Sequence, residues 1–209
     1  MNTRQILITM LGATLSLGSL CAKDITLRAT VIERELARPE EAEKLKADGG
    51  ALSSSKAQQL IEAGKSLQAV VKQKNVQLDY GKSVSVAGAK TTRCEYTSQV
   101  DDKTLQPKKK GKKALGFSAR ITPRACGDGV WLSADARDTR ISGFKNLKTG
   151  DGKQVEIPTF VQQSATGAGA VLPADGSSSY VLPMLSSFCD PESKKIKYVQ
   201  TILVLDIMK

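Results

Sequence analysis

The segment "GFSARITPRACGDGVWLSADARD", residues 116–138, contains two runs of alternating apolar residues separated by a turn signal. A period of two predicts half-buried strands, and "CGDG", residues 126–129, with its Asp128-Gly129 pair, predicts a tight turn between the runs. Trp131 falls on the other face, which we therefore expect to be covered too. Pro123 lies near the rim, where its nitrogen need not donate a hydrogen bond. The segment thus predicts an antiparallel hairpin whose inward side chains are Phe117, Ala119, Ile121, Val130, Leu132, Ala134 and Ala136.

Strand-like patterns continue on both sides of this hairpin. The final stretch, "KIKYVQTILVLDIMK", is apolar almost without interruption from residue 202 to 207, which predicts a strand buried on both faces. Leu203 and Leu205 should therefore be among the most buried residues. Asp175-Gly176 predicts another turn, whereas "FKNLKTGDGKQ", residues 144–154, is expected to be a loop. About eight strands follow from the alternating segments "DITLRATVIERE", "VQLDYGKSVSVAG", "TTRCEYTSQV", "VEIPTFVQQSA" and "GAVLPADGSSSYVLPM" and those above.

Two helices are expected near the N-terminus, within about residues 39–72. The first begins at Pro39, which suits a first helical turn, and ends at Gly49-Gly50. The second should begin with a capping box of Ser55 and Gln58 and continue through Lys72 along one apolar face. Because aromatic residues are only 4% of the chain and strand patterns dominate, the fold class is mainly β (α+β) with antiparallel sheets.

The first residues indicate export. "MNTRQILITMLGATLSLGSLCAKD" has one early positive charge, an uncharged and mostly apolar run, and then small residues, which is the pattern of a secretory signal peptide. We expect residues 1–22 to be removed and residues 23–209 to form a single domain in the periplasm, the outer membrane or at the cell surface. Cys21 leaves open a second processing route, in which this cysteine carries lipid.

The charge of the chain is strongly basic. It has 31 Lys and Arg against 21 Asp and Glu, a net charge of +10, which suggests an anionic neighbour. The densest run, "KKKGKK", falls in an expected polar loop over about residues 101–114. It has two interpretations, capture of an anionic membrane surface or a solvated connection. Nucleic acid is disfavoured by the export signal and the lack of interleaved aromatic residues. The candidate residues are Lys108, Lys109, Lys110, Lys112 and Lys113.

Enzyme chemistry finds no support in the sequence. The chain has no histidine, so Ser-His and Cys-His nucleophile pairs and the commonest general base are absent. No metal site or cofactor is expected, and Asp135 and Asp138 are interpreted as solvated rim residues rather than as a catalytic pair. After removal of the leader, one disulfide is open among Cys94, Cys126 and Cys189, with the pairing undetermined.

The hairpin segment also resembles a known family. Its residues are similar to the central segment of the secretins, the ring-forming outer-membrane channels of type II and III secretion and of type IV pili. Further along, "IPTFVQQSATGAGAVLPADGSSSYVLP" and the terminal "YVQTILVLDIMK" resemble later secretin segments. The residues that carry the resemblance are Gly116, Ile121, Thr122, Pro123, Gly129, Val130, Leu132, Phe160, Asp175, Gly176 and Leu182.

This resemblance implies a small secretin-like β domain, in which the hairpin is a structural wall rather than a frame for a catalytic site. The function it implies is non-enzymatic assembly in the cell envelope, within a type IV pilus or type II secretion system. The partners would be envelope proteins of that system, further copies of the chain, or an anionic membrane surface. The alternative is an immunoglobulin-like β-sandwich that acts as a secreted adhesin-like or glycan-binding module.

Overall fold

The computed structural model describes residues 25–42, 50–67, 69–101, 103–148, 152–190 and 192–208. The expected signal peptide and Cys21 lie outside these residues. The described residues are mostly strand, which confirms the predicted mainly β class. They form strands β1 (Ile25–Leu36), β2 (Gly50–Ser53), β3 (Val70–Leu78), β4 (Val84–Ala87), β5 (Thr92–Val100), β6 (Pro107–Cys126), β7 (Gly129–Lys148), β8 (Gln154–Thr166), β9 (Ala170–Pro173), β10 (Ser178–Cys189) and β11 (Ile196–Ile207), and helix α1 (Ser54–Ser66).

The first sheet has the strand order β2-β10-β11-β1-β3, with every neighbouring pair antiparallel. Its third strand, β11, is buried over most of its length, and Leu203 and Leu205 are both 0% exposed. This confirms the prediction for the final strand. The burial has two sources, because side chains on one face meet the second sheet and those on the other meet α1.

Helix α1 is shorter than predicted. Its buried residues Ala57, Ile61 and Gly64 pack on the outer face of the first sheet, but the helix ends at Ser66 rather than Lys72. Residues 70–78 instead form β3, because nine residues pair with β1 and satisfy their backbone there. Of the other predicted helix, the structure shows a single 3₁₀ turn at Pro39–Glu41, and residues 43–49 lie outside the described part.

The start of α1 also differs from the prediction. Ser53, not Ser55, is the N-cap residue, and its side chain makes no capping hydrogen bond. The helix is attached through tertiary contacts instead: the Ser54 amide donates to the Ser177 carbonyl, and the Ser54 hydroxyl donates to the Gly176 carbonyl at 2.6 Å. Gly176 belongs to the predicted turn between β9 and β10, which the structure confirms.

The second sheet has the order β4-β6-β7-β8, with β5 also pairing β6 and β9 also pairing β7. The alternating residues of the opening segment are buried as predicted and face the first sheet across one shared core. We call these two facing sheets the body. Its largest fully buried side chains, from both sheets and α1, are Tyr180, Phe117, Leu27, Ile61, Ile121, Leu132, Leu172, Leu182, Leu203, Leu205, Val31 and Val130.

The hairpin turn lies at the predicted "CGDG" segment, residues 126–129. Cys126 pairs with Gly129, so the two turn residues are Gly127 and Asp128. Pro123 is within β6 rather than at its end. In an antiparallel ladder the backbone groups of successive residues point to alternate sides, so the nitrogen of Pro123 points away from β7. On that side the pairing of β6 with β4 extends only to Ile121, so β4 needs no hydrogen bond from Pro123. Its carbonyl accepts from the Gly81 amide at 3.2 Å, so proline costs the ladder nothing here.

Two predicted loops are strands in the structure. The expected loop over about residues 101–114 is confined to 101–106, because β6 begins at Pro107 and its lysines pair with β5. Likewise, residues 144–148 belong to β7 and pair with β8. In both segments the polar sequence had indicated a loop, but backbone pairing with a neighbouring strand overrides that composition.

Candidate assembly site: two β-hairpin arms

The second sheet divides at one end of the body. Strands β6 and β7 pair from the Cys126–Gly129 turn to Gly116 and Thr139, and there they separate. Beyond this point β6 pairs only with β5, and β7 only with β8, among the described residues. We call β5 with residues 107–115 of β6 the first arm, and residues 140–148 of β7 with 154–161 of β8 the second arm. Nine residues of strand extend about 30 Å.

Gly116 allows β6 to leave β7. Its φ is +92°, in the region that favours glycine, and a Cβ there would lie 3.0 Å from both the Lys90 carbonyl oxygen and the Thr91 Cα. The Thr91 hydroxyl donates to the Phe117 carbonyl at 2.8 Å, which holds the β4–β5 connection against this bend. The fork therefore has a local cause in the first residue of the opening segment.

The arms touch each other through a small aromatic contact. The rings of Tyr96 and Phe160 meet edge to face with centroids 4.9 Å apart, and the Lys113 ammonium lies 5.0 Å from the Phe160 centroid. Gly111, the glycine of "KKKGKK", lies beneath the Tyr96 ring, since a Cβ at this position would come within 2.7 Å of Tyr96 Cζ. This glycine interrupts the lysine run so that the tyrosine can pack on β6.

Each arm leaves backbone groups unpaired on both of its edges. Among the described strand residues of the two arms none is buried, although Leu105 in the turn between β5 and β6 is 6% exposed, and each arm is only two strands wide. An isolated two-stranded hairpin is marginally stable in water, and an exposed strand edge is a template for pairing with another chain. Pro158 on β8 is typical of an edge strand, because alternation directs its nitrogen outward. The arms are thus suited to receive further strands.

The five predicted lysines lie in the first arm, on alternating faces of β6. Lys108 pairs with Asp101 at 2.9 Å, and Lys112 pairs with Glu95 at 2.7 Å. The Lys108 ammonium and the backbone amides of Thr104 and Lys103 hold the pKa of Asp101 well below its usual range. Part of the positive charge that the sequence assigned to a free loop is therefore balanced within the arm.

Buried charges at the base of the arms were missed in the sequence. Glu33 and Asp138 are 3% and 1% exposed, and the Arg140 guanidinium contacts Asp138 at 2.8 Å. Burial raises the pKa of Glu33, and the nearby Asp138 adds to this, while Arg140 and Lys90 partly oppose it. The interpretation of Asp135 and Asp138 as one solvated pair is wrong, because Asp138 continues the inward phase of β7. Counting every second residue along β1 and β7 from their buried apolar residues would have placed both Glu33 and Asp138 on the inward face.

The three cysteines of the described chain are free thiols, on β5, at the end of β6 and at the end of β10: Cys94, Cys126 and Cys189. The described residues contain no group of three or more His, Cys, Asp or Glu side chains placed to hold a metal ion. In the same part of the chain, no helix has the length and apolar character to cross a bilayer.

No protein-family model matches the chain, and no curated protein matches it. Solved structures do. The InvG secretin domain β-barrel from the Salmonella SPI-1 injectisome is 11% identical, with a TM-score of 0.37, over 88% of this chain and 60% of that chain. Aeromonas hydrophila ExeD is 11% identical, with a TM-score of 0.34, over 88% and 47%. The E. coli K12 type II secretion system secretin GspD is 9% identical, with a TM-score of 0.29, over 88% and 48%.

The chain is similar to secretins. This agrees with the resemblance found in the sequence, and the chain spans about half to three fifths of the length of these structures. With identities near 10% and TM-scores below 0.5, nothing about activity or partners follows from the similarity. The unpaired arms are the feature of this chain on which a function can be argued.

Proposed function

We propose that this protein is a non-enzymatic assembly component of the cell envelope, and that its two arms pair with strands of other chains. The observation that carries the proposal is the pair of two-stranded arms, each with open edges and no buried side chain among its described strand residues. Such hairpins gain most of their stability when a third strand joins them, since pairing satisfies the edge groups and buries one face.

The arms would pair by strand addition, in which main-chain hydrogen bonds provide affinity and alternate side chains provide specificity. On β8, the outward amides belong to the even-numbered residues 154, 156, 160 and 162, given the register with β7. The occupant is a strand from a second copy or from another envelope protein. The resemblance of residues 116–138 to secretins supports a type II secretion or type IV pilus system as the setting.

The location follows from the leader-like first residues, and we infer that residues 23–209 act in the periplasm or at the outer membrane. The absence of histidine from the chain supports a role without catalysis. The body anchors the arms through its large core, while the arms supply the contacts between chains.

Photo-cross-linking in the native envelope tests strand addition. A photoreactive residue at Gln162, which is exposed and continues the outward edge of β8 one residue beyond the second arm, should give a product with a second copy or with a secretion or pilus protein. The same residue at Lys56 on α1 should give none. Mass spectrometry of the product identifies the occupant.

A proline substitution at this edge tests whether its amides pair with another strand, and a threonine at the same position is the matched control. Glu156→Pro removes one outward amide without removing a bond to β7, and Pro158 shows that this edge accepts proline. Glu156→Thr changes the same side chain but keeps the amide. The product at Gln162 should be lost in the proline variant and kept in the threonine variant. Equal products in both variants would overturn pairing through this edge.

A further inference from the structure

Within the body, the two faces of β6 have opposite chemistry. Strand alternation separates its even-numbered from its odd-numbered residues. In the body, the odd positions face the core as Phe117, Ala119 and Ile121. The even positions are largely exposed, and five of the ten are basic: Lys108, Lys110, Lys112, Arg120 and Arg124.

Between Lys112 and Arg120, the even positions of β6 carry no basic residue, but the neighbouring strands place one arginine each beside this part of the face. Arg93 on β5 pairs across from Ala114, and Arg137 on β7 pairs across from Ser118, both on the same outward face. Both arginines are exposed. We call the resulting row of seven cations the basic stripe. It follows β6 for about 50 Å, from residue 108 to residue 124.

Acidic residues balance only part of the basic stripe. Lys108 and Lys112 have ion pairs within the first arm. Asp135 is directly across from Arg120, yet none of the ion pairs among the described residues joins them. Arg124 is exposed and lies 4.9 Å from the centroid of the Trp131 ring, a contact that uses the face of the guanidinium rather than its N–H edge.

The shape and chemistry of the basic stripe select among anionic partners. It is long and narrow and follows a strand that twists, so a flexible linear polymer can contact all of it, whereas a flat bilayer cannot. Hydroxyls lie between the cations at Ser85, Thr122 and Ser133, where they can bind sugar hydroxyls. Arginine pairs with carboxylate, sulfate or phosphate through two N–H groups.

Proteins bind single-stranded nucleic acids by stacking the bases on exposed aromatic rings, and this face offers few such rings. Among the described residues across from the stripe, Trp131 is the aromatic one. Arg124 lies over its ring, and the Gly169 backbone is so close that a Cβ there would be 2.1 Å from Trp131 Cζ2. We propose that the basic stripe binds a linear acidic polysaccharide, a role beyond strand pairing and independent of it.

Binding of two model polyanions tests the proposal: heparin, which is sulfated, and polygalacturonate, which carries only carboxylates. The stripe variant is Lys110→Gln, Arg120→Gln, Arg124→Gln. The control variant, Lys56→Gln, Lys74→Gln, Lys109→Gln, removes the same charge from exposed positions off the stripe. Lys109 is the sharpest control, because it neighbours Lys110 but points to the other face.

Fluorescence anisotropy with labelled polymers should show about tenfold weaker binding for the stripe variant at 0.1 M salt, since three exposed charge contacts are lost. The control variant should bind as the native protein does. Binding should also fall steeply towards 1 M salt, because the Debye length shrinks from about 10 Å to about 3 Å. Asp135→Asn should strengthen binding by removing the one carboxylate across from Arg120.

Three results would overturn the proposal. Equal losses in the stripe and control variants would show only a net-charge effect. Stronger stripe-dependent binding of a DNA duplex, or of phosphatidylglycerol vesicles, than of both polysaccharides would assign the stripe to another class of partner. Binding that is insensitive to salt would exclude the electrostatic mechanism. None of these substitutions alters an arm-edge amide needed for β8 pairing, so the cross-linking result at Gln162 is separable.

Discussion

Glu33 is a carboxylate on β1 that continues the inward row of Leu27, Ala29 and Val31. At this end of the body the shared core becomes polar, because Asp138 and Arg140 of the second sheet occupy the same region. Burying a carboxylate in this way costs free energy when the group is ionised. The fork between the arms therefore begins where the core holds charge instead of aliphatic side chains.

The raised pKa of Glu33 predicts a specific pH dependence of stability. Burial raises this pKa above the ordinary value of 4.5, so the folded state holds a proton that the unfolded state has released. Between the unfolded and folded pKa values, the free energy of unfolding should fall as pH rises. Glu33→Gln should remove this component and make the protein more stable than the native protein at neutral pH.

Urea unfolding of both proteins across about pH 4 to 8 measures the difference. Other carboxylates, such as Asp101 and Asp190 with their lowered pKa values, contribute to both curves and cancel in the comparison. The native protein should lose stability relative to Glu33→Gln as pH rises through this window. Two parallel curves would show that Glu33 is not perturbed by its surroundings.

At the scale of elements, the strands that line the core were predictable, and the arms were predictable only in part. The hairpin of residues 116–138 and strand β11 follow from alternation or from continuous apolarity, because burial acts on every inward side chain. In each arm, one strand was predicted and its partner was not: β5 and β8 follow from alternating segments, whereas the polar composition of 107–115 and 144–148 indicated loops because none of these residues is buried. Likewise, the apolar periodicity of α1 continued into residues 70 and 71 and predicted helix there. These residues instead pair with β1 and form the start of β3.

The candidate site was only partly accessible from sequence for the same reason. The lysine run was found by its charge, but its strand geometry depends on pairing with β5, which no local pattern encodes. Glu33 and Asp138 lie in predictable inward positions, yet a buried acid contradicts the expectation from residue type. Gly111 and Gly116 became interpretable only when the Tyr96 ring and the Lys90 carbonyl were located beside them.

The central strand of the first sheet gives a prediction about stability. Leu205 is fully buried, and Leu205→Ala should lower the free energy of unfolding by about 2–5 kcal/mol through lost transfer energy and a cavity. Leu185→Ala on the neighbouring strand β10 is the matched control, because Leu185 is 43% exposed and should cost much less. Urea midpoints measure both. Similar costs for the two variants would show that β11 is peripheral to the core.

The whole molecule combines a well-packed body with two arms that lack a core of their own among the described residues. In the body, helix α1 and the two sheets enclose aliphatic side chains on both faces of the first sheet. In the arms, a few contacts such as Tyr96 with Phe160 hold exposed strands together. This contrast is the basis of the proposal that the body supplies stability and that the arms supply contacts between chains.

Hydrogen–deuterium exchange of the arm amides tests this proposal most directly. Exchange is compared between the dilute monomer and the protein purified in its envelope assembly, with β11 as the internal reference. In the monomer, amides of β5 and of residues 107–115, 140–148 and 154–161 should exchange far faster than those of β11, because the arms open locally. In the assembly they should become protected, as new strands cover their edges. Arm amides that exchange rapidly in both states would contradict the account.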